Sequence, residues 1–224
     1  MNIVVNNINI HYEVLGQGNP IILLNPNSVN TSCMRFMANK LSKDFKVYLF
    51  DRRCTGKSER NCRLSYEESA KDVYEFIQKI NLDKPFVLGS SGGASVALNL
   101  AIYYPECISK LVCCSGVARN GTIKKPTYAK LLDKLPYYPG KKNNMMFEKL
   151  NDEMKSFDED DLKKIIVPTL VVNGGLKDIV PIGEAEYLAN GITNSKLLIL
   201  ENENHFSYMI NCKWYDELKD FLEK

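Results

Sequence analysis

Short runs of apolar and β-branched residues alternate along the chain with longer stretches in which apolar positions return every three or four residues. A compact run of four to eight apolar residues, or an alternation of period two, marks a strand, whereas a recurrence near 3.6 marks a helix. Strands are predicted at Ile3 to Val5, Ile8 to Leu15, Ile21 to Leu24, Lys46 to Phe50, Pro85 to Leu88, Ile108 to Cys114, Thr169 to Asn173 and Lys196 to Leu200. Helices are predicted over 31–42, 66–80, Ala94 to Tyr104, Pro181 to Ala189 and about Tyr208 to Leu222. Strand and helix in alternation imply βαβ units, hence an α/β fold with a mainly parallel eight-stranded sheet flanked by helices. The rhythm breaks after Val117: residues 118–164 are rich in Lys and Asn, hold Pro126, Pro136 and Pro139, and carry an acidic run from Asp158 to Asp161. This segment reads as an insertion into a core made of residues 1–117 and 165–224.

Composition narrows the partners. At 224 residues, with 45% apolar and 25% charged positions, the chain has the balance of an ordinary globular domain. Its 29 basic and 27 acidic residues leave a formal charge of +2, too little to hold a nucleic acid backbone or an anionic membrane. The seven cysteines form neither CxxC nor a Cys/His cluster, so disulfides and structural zinc are not expected. No Lys or Arg precedes Arg35, and no apolar run approaches the ~18 residues of a membrane helix. A cytoplasmic setting is therefore expected.

The chemistry concentrates at three places. Gly89, Ser90, Ser91, Gly92 and Gly93 spell G-x-S-x-G directly after a strand and before a helix, the context in which a sharp turn lifts a serine hydroxyl clear of a sheet. Ser91 holds the apex, and Ser90 the adjoining position. A serine hydroxyl needs a base, and the chain offers His11 and His205. His11 lies on the second strand, in an edge-like region; His205 follows the last strand in a polar loop, at the sheet edge where such folds gather their active groups. Asp178, after the strand Thr169 to Asn173, has the position of the carboxylate that would fix the histidine tautomer. The rival position for an acid, after Cys114, reads Ser115, Gly116, Val117, Ala118 and Arg119 and holds no carboxylate. Gly56, Lys57 and Ser58 imitate the end of a phosphate-binding loop, but Asp51 stands where its first glycine belongs.

On these residues the chain resembles the α/β-hydrolase superfamily, in particular its small members with the order serine, acid, histidine. Ile10, His11, Tyr12 and the pair Gly16 and Gly18 are similar to the family's first hairpin. Asp51 to Ser58 resembles its D-x-R-G-x-G-x-S loop, with Cys54 in place of the usual glycine. Ile166 to Asp178 resembles its I-x-V-P-T-L-x-x-x-G-x-x-D segment. Where the family commonly has His-Gly after the third strand, this chain has Asn25 and Pro26, followed by Asn27 and Ser28.

The resemblance implies a Ser91, Asp178 and His205 triad. It also implies an oxyanion hole made by the backbone N–H groups of Asn27 and Gly92, with Ser28 as the alternative to Asn27, since Pro26 has no N–H to donate. It calls for no metal and no organic cofactor, and makes residues 118–164 a short inserted cap. Tyr128, Leu131, Leu132, Leu135, Tyr137, Tyr138, Met145, Met146 and Phe147 either line an apolar acyl pocket or anchor that cap. The expected activity is hydrolysis of a small carboxylic ester or thioester, with a small-molecule acyl substrate as partner and neither nucleic acid nor membrane. The alternative is a ligand-sensing or partner-binding protein that keeps the fold with little turnover.

Overall fold

A computed structural model of the protein describes residues 1–125, 130–131, 134–211 and 213–224. Its centre is a single eight-stranded sheet in the order β1-β2-β4-β3-β5-β6-β7-β8. The strands are β1 (Asn2–Val5), β2 (Ile8–Leu15), β3 (Pro20–Leu24), β4 (Lys46–Phe50), β5 (Phe86–Ser90), β6 (Lys110–Cys114), β7 (Thr169–Asn173) and β8 (Ser195–Ile199). β1 and β2 pair antiparallel, β2 joins β4 antiparallel, and every later pairing is parallel. The parallel strands therefore deliver their C-terminal ends to one edge.

Pleating sorts each strand between two cores. Ile21, Leu23, Val47, Leu49, Leu88 and Val112 face one side, against α1 (Arg35–Leu41), α7 (Ser207–Asn211) and α8 (Tyr215–Glu223). Ile22, Leu24, Tyr48, Phe50, Val87 and Leu111 face the other, against α2 (Tyr66–Lys79), α3 (Gly92–Tyr103) and α6 (Ile182–Gly191). Burial on both faces explains why the central strands read as continuous apolar runs. α2 starts where Ser65 accepts the Glu68 N–H at 3.1 Å, and its Phe76 meets Tyr12, Tyr48 and Phe50 edge-on at 5.0, 6.0 and 5.1 Å between centroids. Such aromatic pairs contribute about 0.5 to 1.5 kcal/mol each beyond their burial.

Two boundaries differ from the sequence reading in ways that matter. β5 runs on to Ser90 and α3 begins at Gly92, so the turn between them is a single residue, Ser91. The helix expected from Tyr208 to Leu222 is two helices; the Trp214 indole N–H donates to the Tyr208 carbonyl at 2.9 Å, taking an acceptor that an unbroken helix would use within itself.

Between β6 and β7 the inserted segment carries α4 (Lys141–Glu153) and α5 (Glu159–Leu162). Leu131, Leu135, Tyr137 and Met145, expected as pocket lining or anchors, are exposed, and Tyr138 is half-buried. Among the described ones of the nine, Phe147 alone lines the cavity above Ser91, whereas Met146 borders a separate cavity beside α2. Tyr128 and Leu132 lie outside the described residues. No helix among the described residues is long and apolar enough to cross a membrane.

Candidate active site

Ser91 occupies the turn with φ 52° and ψ −122°, a strained conformation for a residue with a side chain. The surrounding packing imposes it: the Ser91 N–H donates to the Cys114 carbonyl at 2.8 Å. A Cβ on Gly89 would overlap the Gly93 carbonyl, and one on Gly93 would overlap the Leu24 carbonyl, which is why the turn needs glycine on both sides. Ser90 points the other way, into the core, where its hydroxyl lies 3.3 Å from Tyr208 Oη.

His205 Nε2 lies 3.0 Å from Ser91 Oγ, and His205 Nδ1 lies 2.7 Å from Asp178 Oδ1. The three predicted side chains thus meet in one line, although 114 positions separate Ser91 from His205. The histidine loop is held by Asn204, whose Oδ1 accepts the Phe206 and Ser207 N–H groups at 3.0 and 3.1 Å. A bridge between Lys177 and Asn204 joins it to the acid's loop. His11 stands apart at the antiparallel edge, bonded to Asn2 at 2.9 Å.

Asp178 is saturated with donors. Its Oδ1 also accepts the Val180 N–H at 3.0 Å; its Oδ2 accepts the Gly174 N–H at 3.0 Å and the Ser115 hydroxyl at 2.5 Å. Burial pushes the carboxyl pKa up, but the hydrogen bond and charge of His205, with Ser115 and the Val180 N–H, outweigh burial and hold it below the ordinary 3.8. Sequence reasoning passed over Ser115 because the position after β6 holds no carboxylate. The structure shows a hydroxyl there that donates to Asp178 in the loop after the next strand. Ser115 in turn accepts from Tyr208 Oη at 3.0 Å, a fully buried phenol.

On the opposite wall, Asn25, Pro26, Asn27 and Ser28 form the turn after β3. Asn25 is buried and its Nδ2 donates to Val29 O at 2.5 Å and Thr55 Oγ1 at 3.2 Å, stapling the turn to the loop after β4. That loop is organised around Asp51, whose carboxylate accepts the Thr31 and Lys57 N–H groups at 2.9 and 3.0 Å. Cys54 has φ 63°, so the loop keeps a left-handed residue at the position where the family usually has glycine. Arg53 forks onto Asp72 of α2 at 2.7 and 2.6 Å. Among the described residues the Asn27 N–H has no hydrogen-bond acceptor, and the Gly92 N–H is the first of α3, where no helical acceptor exists.

A cavity of about 360 Å³ opens over Ser91 and His205. Val117, Phe147 and Ile179 give it an apolar wall, and Asn144, Glu148 and Asn151 line up along one face of α4 as a polar roof. Arg119 on its rim is bound to buried Glu184 through Nε at 3.0 Å and Nη2 at 2.7 Å. The buried thiols Cys107 and Cys113 are pushed up to about 12 by burial, and partly buried Cys33 to about 11, so none of them rivals Ser91 as a neutral-pH nucleophile.

Residues 19–152 match the family model described as the alpha/beta hydrolase fold. The chain belongs to the α/β-hydrolase family. It is 23% identical to the human serine hydrolase BPHL over an alignment covering 99% of this chain and 85% of that protein. It is 30% identical to the hydrolase YraK of Bacillus subtilis over 46% of this chain, a match that spans only 40% of YraK. The enol-lactonase of Burkholderia xenovorans superposes over 100% of both chains with a TM-score of 0.84 at 19% identity, a likeness of fold.

Proposed function

We propose that this α/β-hydrolase-family chain is a serine hydrolase that cleaves a small carboxylic ester or thioester through an acyl-enzyme on Ser91. The observation that carries the reading is the position of His205, within 3.0 Å of Ser91 Oγ and 2.7 Å of Asp178 Oδ1. In this reading His205 Nε2 removes the Ser91 proton as Oγ attacks the carbonyl. Asp178 accepts a hydrogen bond from the Nδ1–H, which fixes the tautomer, and stabilises the imidazolium. The Asn27 and Gly92 N–H groups hold the tetrahedral oxyanion, each contributing roughly 3 to 4 kcal/mol in comparable sites. His205 then returns the proton to the leaving group, and water, activated by the same base, releases the acid and restores Ser91.

The size and mixed lining of the cavity favour a short acyl group with a polar partner under α4 over a long alkyl chain. Residues 118–164 act as a short cap on a core of residues 1–117 and 165–224, and substrate choice resides in that cap. The class of substrate is a small organic acyl compound, with no cofactor called for by the chemistry.

Intact mass after treatment with a fluorophosphonate probe tests the reading. The wild-type chain is expected to gain one phosphonyl group and Ser91→Ala none. A folded wild type that stays unmodified would sink the acyl-enzyme reading and turn attention to ligand sensing on the same fold.

A further inference from the structure

The wall that would hold the oxyanion is set by side chains that are distant in sequence. Arg52 is fully buried and donates through Nε to the Asn25 carbonyl at 2.8 Å and through Nη2 to Asn27 Oδ1 at 2.9 Å. A guanidinium only donates, so this bond decides which end of the Asn27 amide is its oxygen. Asn27 Nδ2 must then face away, and it donates to Tyr66 Oη at 2.9 Å and Asn151 Oδ1 at 3.2 Å. Tyr66, having accepted, donates its own hydroxyl hydrogen bond to Asn151 Oδ1. The hydrogen bonds therefore run one way, from Arg52 through Asn27 and Tyr66 to Asn151, and end on α4 of the inserted segment.

A second tie joins the same two pieces: Asn143, also on α4, donates from Nδ2 to the Ser28 carbonyl at 3.2 Å. A Cβ on Gly92 would overlap the Asn27 amide, so this side chain rests directly against the residue after Ser91. Among the described residues Arg52 Nη1 has no hydrogen-bond partner, and the ionisable groups acting on Arg52 are Tyr66, Cys33 and Cys54, with no carboxylate among them. Burial pushes its pKa down to about 10, which leaves it charged at neutral pH. Buried networks of this kind hold one geometry when every link is present and lose it together.

We propose that Arg52 and Asn151 are positioning residues for acyl transfer at Ser91, gripping Asn27 from its two ends so that the oxyanion turn reaches its working geometry only with α4 seated on it. The inference rests on reading the Asn27 N–H as an oxyanion donor. It gives the inserted segment a share in the chemical step in addition to substrate binding, because donors displaced by about 1 Å cost on the order of a hundredfold in rate.

Asn151 acts here only as an acceptor, so Asn151→Asp keeps its part and Asn151→Leu, of similar size, removes it. The readouts are the second-order rate of phosphonylation by the fluorophosphonate probe, kcat and KM for p-nitrophenyl acetate, and a circular-dichroism melt of each protein. The Leu variant is expected to slow phosphonylation and kcat by about 10- to 100-fold with a smaller change in KM, and the Asp variant to recover most of the loss. A Leu variant as fast as wild type, or an Asp variant as slow as Leu, would overturn the proposal and leave the Ser91 reading standing. Wild type with no Ser91-dependent phosphonylation would remove both. Should the Leu variant melt below the assay temperature, Tyr66→Phe removes the hydroxyl route from Asn27 to Asn151 and leaves only the direct bond at 3.2 Å. Its expected loss is about fivefold, and a wild-type rate there would also overturn the proposal.

Discussion

The two walls of the site are built in different ways. Ser91, Asp178 and His205 each sit within a few residues of the end of a parallel strand, β5, β7 and β8, and backbone groups hold much of that wall: the Gly174 and Val180 N–H groups on Asp178, and the Cys114 carbonyl on Ser91. The opposite wall depends on side chains, and its longest link, from Asn27 to Asn151, spans 124 positions. Backbone-supported geometry follows wherever the strands go. Side-chain geometry exists only after two separate elements have docked. A substitution on the first wall should therefore remove chemistry and leave the architecture, whereas one on the second should misplace groups that are still present.

The largest contrast is expected from Asp178→Asn. It preserves the shape of the site but presents His205 in the wrong tautomer, and kcat for p-nitrophenyl acetate should fall by about 10⁴-fold with a near-wild-type circular-dichroism spectrum. A loss of less than about tenfold would mean that the acid is not part of a working triad. Next in size is Ser115→Ala, which strips one donor from Asp178 and removes the Tyr208 Oη bond at 3.0 Å, leaving that phenol, among the described residues, only Ser90 Oγ at 3.3 Å. About a tenfold fall in kcat with little change in KM is expected, and Tyr208→Phe should follow at about threefold. Steady-state kinetics of the two single variants and the double variant would show whether the hydroxyls act as one chain, in which case their effects will not add.

The smallest effect concerns stability and pH. The Asp178 pKa lies below 3.8 in the folded chain, so its folded value is depressed relative to the unfolded one. Its contribution is then fully present above the unfolded value, about 3.9, and is lost as pH falls through the folded value. Between pH 7 and 5 the melting temperatures of wild type and Asp178→Asn should run parallel. Below about pH 4 the wild type should decline more steeply than the variant. Parallel curves down to pH 2 would show that the carboxyl titrates normally.

Much of this was legible in the chain. Continuous apolar runs announced a sheet covered on both faces. The eight strands fall where the pattern put them, with β2, β4 and β7 matching to the residue. Ser91, Asp178 and His205 were legible because each is tied to a strand end by short-range geometry: glycines that admit close carbonyls, an acid loop after β7, a polar loop after β8. The break between α7 and α8 was not legible, because it depends on the Trp214 indole reaching the Tyr208 carbonyl. The nine apolar residues of the insertion read equally as pocket lining or as cap anchors, and among the described ones Phe147 alone lines the cavity over Ser91, since periodicity within a segment carries no information about which side another element will cover.

Arg52 marks the boundary most clearly. In the sequence it is one of two adjacent arginines in a family-like loop, where Arg53 takes the motif's arginine position and Arg52 the variable one, with no local sign of a role. In the fold Arg53 forks onto a carboxylate of α2, while Arg52 turns inward to Asn27 and, among the described residues, meets no carboxylate. Local sequence determines the strands, the strained serine turn and the order serine, acid, histidine, because hydrophobic period and backbone sterics act within a few residues. Which buried donor meets which acceptor, and hence how α4 is joined to the turn after β3, is decided only when the sheet has stacked and water has left the space between them.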